Sequence, residues 1–559
     1  MRRLWWGVVA LAAALRLSGL GHWGFVDPYF AAGVRTMTGG GSSFWYGAFD
    51  SGGFLTVDKP PLAFWLQTVF CWLLGFSNLA LCLPQALAGV GSVWLLGKLV
   101  ARRSGESAGL LSALALALTP ICVAADKTNL VDSLLAFVLL CAAWALFGAL
   151  ETGRLRGLLL CAALIGVGVH VKAGAAFAIV PAFGLAYLSC GPGDIKKRIG
   201  QLVLTLPVLL AVSSIWMLAV DSTPPEQRPF IGSSKDNSAR YQVFVHYGVR
   251  RLIGPPPSPP VPPKSGLYNV QMGPLRLFQR ELADQLFWWL PLACLGLWQL
   301  GKDKKSRADV IVWGGWMLVY LASFSYVRDV FHPYYLPPLA IATAALVGIG
   351  AKNAPKWLLG LTALWQVWLL SAYPSWVLWL APFVLLGMRW PVLLSLAPLA
   401  WCASAAFTWC NSPLVYAGPL RLTTGGPDPS LIATPQLWQG KLTDADRPKL
   451  LAFLKKERRG EKFLLAVQST VPAAPVILRT GEAVMALGGF TGGDPILTPE
   501  SLAQRVRRGE VRFFLLPPQN TAFGHNGALM EWVRNHGLLV EPALWRDSGN
   551  DLLLYEVLF

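Results

Sequence analysis

Four aspartates and a lysine stand where polar chain interrupts long apolar runs. Asp27 lies in Phe25-Val26-Asp27-Pro28-Tyr29-Phe30, while Asp50, Asp58 and Lys59 lie between Phe49 and Leu62. Asp132 closes the connection Asp126-Lys127-Thr128-Asn129-Leu130-Val131-Asp132, directly before another apolar run. A carboxylate beside a low-dielectric wall gains a raised pKa and can act as a general base, and a lysine can meet a phosphate as a point charge. The plainer alternatives are solvated loop charges, an Asp58–Lys59 pairing, and a helix cap at Asp132.

A fourth connection, Arg328-Asp329-Val330-Phe331-His332-Pro333-Tyr334-Tyr335, gathers a cation, an imidazole and two phenols. His332 has the chemistry to bind a metal or a phosphate, against a structural role for a lone histidine and an interfacial role for the tyrosines. Lys172, two residues after His170, stands near the end of an apolar run, where it either faces a polar partner or snorkels.

The elements that must position these groups are apolar. Of 559 residues 54% are hydrophobic and 14% charged, with a mean hydropathy of +0.49, so lipid is the expected solvent. Trp5, Trp6, Trp357, Trp376 and Trp390 flank apolar runs as expected of headgroup anchors. The net charge of +17 comes without a basic stripe interleaved with aromatics, so nucleic acid is not an expected partner; membrane lipids are. Nine cysteines lie in or beside apolar segments, with neither a disulfide framework nor a CxxC metal signature.

About thirteen transmembrane helices are expected, near 4–21, 61–97, 107–124, 132–150, 157–170, 174–190, 201–220, 285–300, 310–327, 336–350, 357–371, 375–388 and 391–410. Every second connection is basic: Arg2 and Arg3; Lys98, Arg102 and Arg103; Arg154 and Arg156; Lys196, Lys197 and Arg198; Lys302, Lys304, Lys305 and Arg307; Lys352 and Lys356; Arg389. That alternation predicts a plasma or inner membrane protein with an uncleaved, cytoplasmic N-terminus and the opposite connections outside. Large outer loops are expected at 22–60 and 221–284, the second carrying a Pro-rich, extended stretch from Gly254 to Pro263.

After Cys410 continuous apolar runs give way to 16 Lys or Arg and 14 Asp or Glu. Short runs at Phe463–Val467, Val511–Leu516 and Leu552–Phe559 read as strands, and helical patterns fall near 444–459, 499–508 and 526–535. The expected division is therefore a transmembrane domain over 1–410 and a small extracytoplasmic α/β soluble domain over 411–559.

Taken together, Asp27 with Tyr29 and Phe30, Asp58-Lys59-Pro60-Pro61-Leu62, Asp132 after Thr128-Asn129, and His332-Pro333-Tyr334-Tyr335 resemble GT-C membrane glycosyltransferases, which include protein O-mannosyltransferases and bacterial aminoarabinose transferases. The likeness is greatest to a bacterial subgroup named as mannosyltransferases. That subgroup has phrases similar to Phe49–Pro61, Arg228-Pro229-Phe230-Ile231-Gly232-Ser233, Asp236-Asn237-Ser238 and Ala486–Pro499, so the resemblance covers nearly the whole chain.

The resemblance implies a polytopic α-helical membrane fold of GT-C type and a polyprenyl (undecaprenyl) phosphate sugar donor. It implies a lipid, glycan or protein acceptor and transfer with inversion. Asp27, Asp58 and Asp132 match its catalytic acids, with Pro28 replacing a frequent acidic neighbour of the first. Lys59 matches a donor-phosphate lysine, and His332, Tyr334 and Tyr335 an aromatic motif near the donor. Asp58 replaces the usual glutamate of the Glu-Lys-Pro-Pro pattern; no cofactor is required by the residues, and a divalent metal remains compatible with them. Two other classes fit a many-spanned chain: a lipid or solute transporter, which would show inverted repeats, and a non-catalytic envelope-glycan assembly protein.

Overall fold

The computed structural model describes residues 1–21, 27–254, 272–328, 331–373, 375–408, 415–419, 446–490, 492–518, 527–547 and 552–558. Most of the expected Pro-rich stretch, from residue 255 onward, and the expected boundary at 410/411 lie outside the described residues, as do Phe25, Asp329, Val330, Thr491 and Phe559.

Among the described residues, helices dominate. Five are long and apolar enough to cross a membrane: Asn78–Ser104, Asp132–Thr152, Leu155–Phe177, Ile195–Asp221 and Lys304–Tyr326. A sixth crossing exists if Glu106–Ala117 and Pro120–Asp126, bent by 61°, form one span. Pro120 lacks the N–H that would continue the helix, which accounts for the break. Shorter apolar helices include Leu62–Leu74, Val180–Cys190, Pro337–Ala351, Ser375–Leu386 and Pro391–Phe407. The protein is a multi-pass membrane protein. Trp6, Trp357, Trp376 and Trp390 are exposed, as anchors should be, whereas Trp5 is buried and carries the Lys98 ammonium 4.4 Å over its ring. The indole of Trp5 faces protein because Gly97, whose added Cβ would lie 2.5 Å from that ring, leaves it room.

The chain divides into two compact units: Met1–Val26, Ser77–Ile215 and Tyr247–Asp428 in one, and Asp27–Phe76, Trp216–His246 and Pro429–Phe559 in the other. In the first, helices approach closely through small residues. A Cβ added at Gly296 would stand 2.0 Å from the carbonyl oxygen of Leu346, so Leu290–Lys302 and Pro337–Ala351 pack almost backbone to backbone. Arg16, fully buried at the end of Arg2–Leu17, gives its Nε to Asp126 Oδ2 at 2.7 Å and its terminal nitrogens to the carbonyls of Ala117 and Leu116 at 3.1 and 3.2 Å. A buried charge paired and hydrogen-bonded in this way avoids the cost of isolation. Asp126 is therefore the buried last residue of Pro120–Asp126 and not a loop charge.

In the second unit, β1 (Leu465–Val467), β2 (Val484–Ala486), β3 (Phe513–Leu516), β4 (Leu538–Leu539) and β5 (Leu553–Glu556) form one sheet in the order β2-β1-β3-β5-β4. β1 runs parallel to β2 and β3, and β5 antiparallel to β3 and β4. β1, β2 and β3 are buried at every position, which is why they read as uninterrupted apolar runs. Helices Asp446–Glu457, Thr470–Thr480, Pro499–Arg507 and Gly527–His536 accompany the sheet, and Pro28–Met37 packs on Thr470–Thr480.

Candidate functional site

The predicted site residues fall into two groups, one in each unit. Asp27, Asp58 and Lys59 belong to the unit that carries the sheet; Asp132, His332, Tyr334 and Tyr335 belong to the other.

Asp27 is the N-cap of Pro28–Met37, and its Oδ1 accepts the N–H of Phe30 at 3.1 Å. Pro28 at the first helical position makes this cap favourable, because its missing N–H would have no helical partner. The carboxyl is half-buried, and burial pushes it up to about 6, opposed by the Phe30 N–H and the Lys59 ammonium. Phe30 serves both ends of this group: its N–H holds Asp27, and its ring lies 4.4 Å beneath Lys59 Nζ.

Lys59 Nζ donates to both carboxylate oxygens of Asp58 at 3.2 Å, so the Asp58–Lys59 pairing exists. Asp58 is buried, and its N–H donates to the phenol oxygen of Tyr29 at 2.7 Å. Tyr29 is itself wedged among Phe30, Phe49 and Phe490, with ring centroids 4.7–5.2 Å away. The backbone at Asp58 is pinned from a second side. A Cβ on Gly232 would meet the Thr56 carbonyl oxygen at 2.8 Å and the Asp58 Cα at 3.4 Å, while the Gly232 N–H donates to Thr56 Oγ1 at 2.9 Å. The turn holding Gly232 is fixed by Arg228, which grips Asn237 through Oδ1 and the carbonyl at 3.0 and 2.6 Å; Asn237 Oδ1 also accepts the Ile231 N–H at 2.9 Å.

Asp50 has a different character. It is fully buried and accepts the N–H groups of Phe54 and Leu55 at 3.1–3.2 Å, the geometry of a loop clasp; burial pushes it up to about 6. Asp494, from the Ala486–Pro499 phrase, accepts the Ser233 N–H at 2.8 Å. Burial pushes it up to about 7, with the negative charge of Asp58 adding to the rise and the Ser233 N–H opposing it.

In the other unit, Asp132 is the first residue of Asp132–Thr152, whose N-cap is Val131; it does not cap the helix with its side chain. Its Oδ1 instead receives Lys172 Nζ at 2.6 Å. Lys172 sits inside Leu155–Phe177 with extended dihedrals, φ −157° and ψ 94°, so the helix breaks at this residue. Nζ also lies 3.5 Å over the ring of Tyr335. His332 stacks on Tyr334 at 4.9 Å and meets Tyr335 edge-on at 5.3 Å, completing an aromatic cluster around the Asp132–Lys172 pair. Of the two sequence readings of Lys172, the structure has the polar partner.

Among the described residues no three of His, Cys, Asp and Glu form a metal-ligand set. The two sites share one design, a buried aspartate held by a lysine that lies on an aromatic face. Asp494 and Lys172 were not among the predicted site residues. Lys172 carried the signal of a charge in an apolar run; Asp494 carried only a glycine-rich phrase.

The chain resembles known proteins along nearly its whole length. It is 33% identical to "Putative mannosyltransferase YycA" of Bacillus subtilis, over 91% of this chain and 90% of the relative. It is 31% identical to "Putative mannosyltransferase YkcB" of the same organism, over 94% and 90%. The chain belongs to the GT-C family of membrane glycosyltransferases. The profile of the dolichyl-phosphate-mannose-protein mannosyltransferases matches residues 58–217, and that of the C-terminal region of YkcB-like mannosyltransferases matches 450–536. ArnT from Cupriavidus metallidurans, crystallised with undecaprenyl phosphate, shares the fold at a TM-score of 0.60 and 18% identity, over 98% of this chain and 97% of that one. The Archaeoglobus fulgidus oligosaccharyltransferase shares it at 0.51 and 13%, over 98% and 74%. The protein is thus a membrane glycosyltransferase.

Proposed function

We propose that this glycosyltransferase moves a monosaccharide from a polyprenyl (undecaprenyl) phosphate to a hydroxyl or amine of a cell-envelope lipid, glycan or protein. The observation that carries the reading is the placing of Asp27 and Lys59 on one residue, Phe30, which holds the acid through its N–H and the cation through its ring. Asp27 takes the proton of the acceptor as the acceptor atom bonds to the anomeric carbon. The bond from that carbon to the phosphate oxygen breaks, and its electron pair leaves with the phosphate, stabilised by Lys59. Direct displacement inverts the anomeric centre. Asp58 keeps the Lys59 ammonium in place until a phosphate competes for it.

The crystallised fold neighbour with undecaprenyl phosphate supports the donor class. The alternation of basic connections supports a cytoplasmic N-terminus, about thirteen spans and an extracytoplasmic region after 410. For Asp132, His332, Tyr334 and Tyr335 we propose roles in the same reaction, as a second acid and as donor-phosphate contacts, on the strength of the family motif.

The test is transfer of labelled sugar from undecaprenyl-phosphate hexoses by purified protein in proteoliposomes, with release of undecaprenyl phosphate as the second readout. Wild type is expected to release it, and Lys59→Ala to lose most of that release. Absence of release from every hexose and pentose donor tried would remove the reading.

A further inference from the structure

Asp494 has one oxygen spoken for and one open. Oδ2 accepts the Ser233 N–H at 2.8 Å, whereas Oδ1 accepts no hydrogen bond among the described residues, although the residue is only 8% exposed. Oδ1 is thus the accessible oxygen of an otherwise buried carboxylate, open to a donor from outside the chain.

The segment that carries Asp494 is tied to the candidate site. Two routes tie the Ala486–Pro499 segment to the Asp58–Lys59 pair within the same unit. Phe490 packs 4.7 Å from Tyr29, whose phenol receives the Asp58 N–H. Asp494 holds Ser233, whose neighbour Gly232 lies directly on the Asp58 backbone. Ser233 adopts a left-handed φ of 60°, a strained conformation for a residue with a side chain, and the Asp494 hydrogen bond is what its N–H receives in return. The charges of Asp58 and Asp494 also act on each other and on Tyr29. The segment is therefore built against the donor-phosphate lysine and its acid.

We infer that Asp494 is a substrate-binding residue of the transfer site, its Oδ1 accepting a hydrogen bond from a sugar hydroxyl. A carboxylate is the strong acceptor such a hydroxyl requires, and a site that binds an OH this way rejects the analogue lacking it. The hydroxyl belongs either to the sugar being transferred or to a sugar acceptor. The inference rests on the glycosyl-transfer reading above.

The experiment compares wild type with Asp494→Asn, whose amide oxygen can still accept the Ser233 N–H. Donors are undecaprenyl-phosphate mannose and its monodeoxy forms, and probe acceptors are octyl mannoside and its monodeoxy forms. In wild type one missing hydroxyl is expected to lower kcat/KM about ten- to hundred-fold. In Asp494→Asn, at unchanged Tm, that penalty shrinks to a few-fold. Loss of the penalty with a deoxy donor places the hydroxyl on the transferred sugar; loss with a deoxy acceptor places it on the acceptor. If Asp494→Asn discriminates against every deoxy compound as wild type does, Asp494 is structural and the inference falls while the transfer reading stands. If Asp494→Asn unfolds, Asp494→Ala, which removes Oδ1, is measured by the same comparison. If wild type turns over neither mannose donor nor any other hexose donor, both readings fall together.

Discussion

The phenol oxygen of Tyr29 accepts the backbone N–H of Asp58 at 2.7 Å. A residue of the first helix after Asp27 thereby fixes the main chain at the acid that holds Lys59. Removing the hydroxyl alone leaves a buried N–H without its acceptor, which costs about 1–3 kcal/mol. Tyr29→Phe keeps the aromatic packing with Phe30, Phe49 and Phe490. We expect a folded variant with a Tm lowered by a few degrees and turnover reduced about ten-fold, measured by thermal unfolding and by undecaprenyl-phosphate release. Unchanged turnover would show that the Asp58 backbone needs no such anchor.

The pH profile should report Asp27. Burial raises its carboxyl to about 6, and a general base works only when ionised. The ionised fraction is then about one-tenth at pH 5 and about nine-tenths at pH 7, so Asp27 alone should make kcat/KM climb roughly ten-fold across that interval. For stability the sign is opposite: the folded state holds this proton more tightly than the unfolded chain, so the contribution is present below about pH 4 and is lost as pH rises through 6. Asp27→Asn should abolish the climb together with most of the activity. A full acidic limb in that variant would move the base elsewhere.

Lys172 should matter through Asp132. The ammonium and carboxylate are 2.6 Å apart and both are largely shielded from water, so removing the cation takes a close ion-pair partner from a buried charge. Lys172→Met should cost about 3–5 kcal/mol, seen as a lower unfolding temperature in detergent, and Lys172→Met with Asp132→Leu should recover much of it. A single variant as stable as wild type would mean that Asp132 is neutral.

Arg16 and Asp126 make the same test at another place. Arg16→Met alone should destabilise by about 3–5 kcal/mol, whereas Arg16→Met with Asp126→Leu should fall close to wild type. Because neither residue belongs to the candidate site, transfer per folded molecule should be unchanged in the double variant.

Apolar helices were legible because apolar runs are written locally. So were β1, β3 and β5, which fall within the three runs read as strands. β2 and β4 fall outside those runs, and β4, of two residues, is too short to leave a periodic trace. Asp27, Asp58, Lys59 and Asp132 were legible as charges at the ends of apolar segments. Their partners were not. Lys172 follows Asp132 by 40 residues and reaches it only because a helix breaks, and Asp494 meets Ser233 across 261 residues of chain. No local pattern encodes such a meeting; packing decides it. The close relation of residues 27–76 to residues after 429 in one compact unit was invisible for the same reason.

The Arg16–Asp126 pair spans 110 residues of sequence, which makes it a clock as well as a contact. At about 5–20 residues per second of synthesis, Arg16 emerges roughly 5–20 seconds before the carboxylate that will neutralise it. During that interval the guanidinium, at the end of its helix, has no carboxylate and must stay near water or in the insertion machinery. The first helix can settle only when Pro120–Asp126 arrives, so the order of assembly is written into a single ion pair: the beginning of the chain waits for its middle.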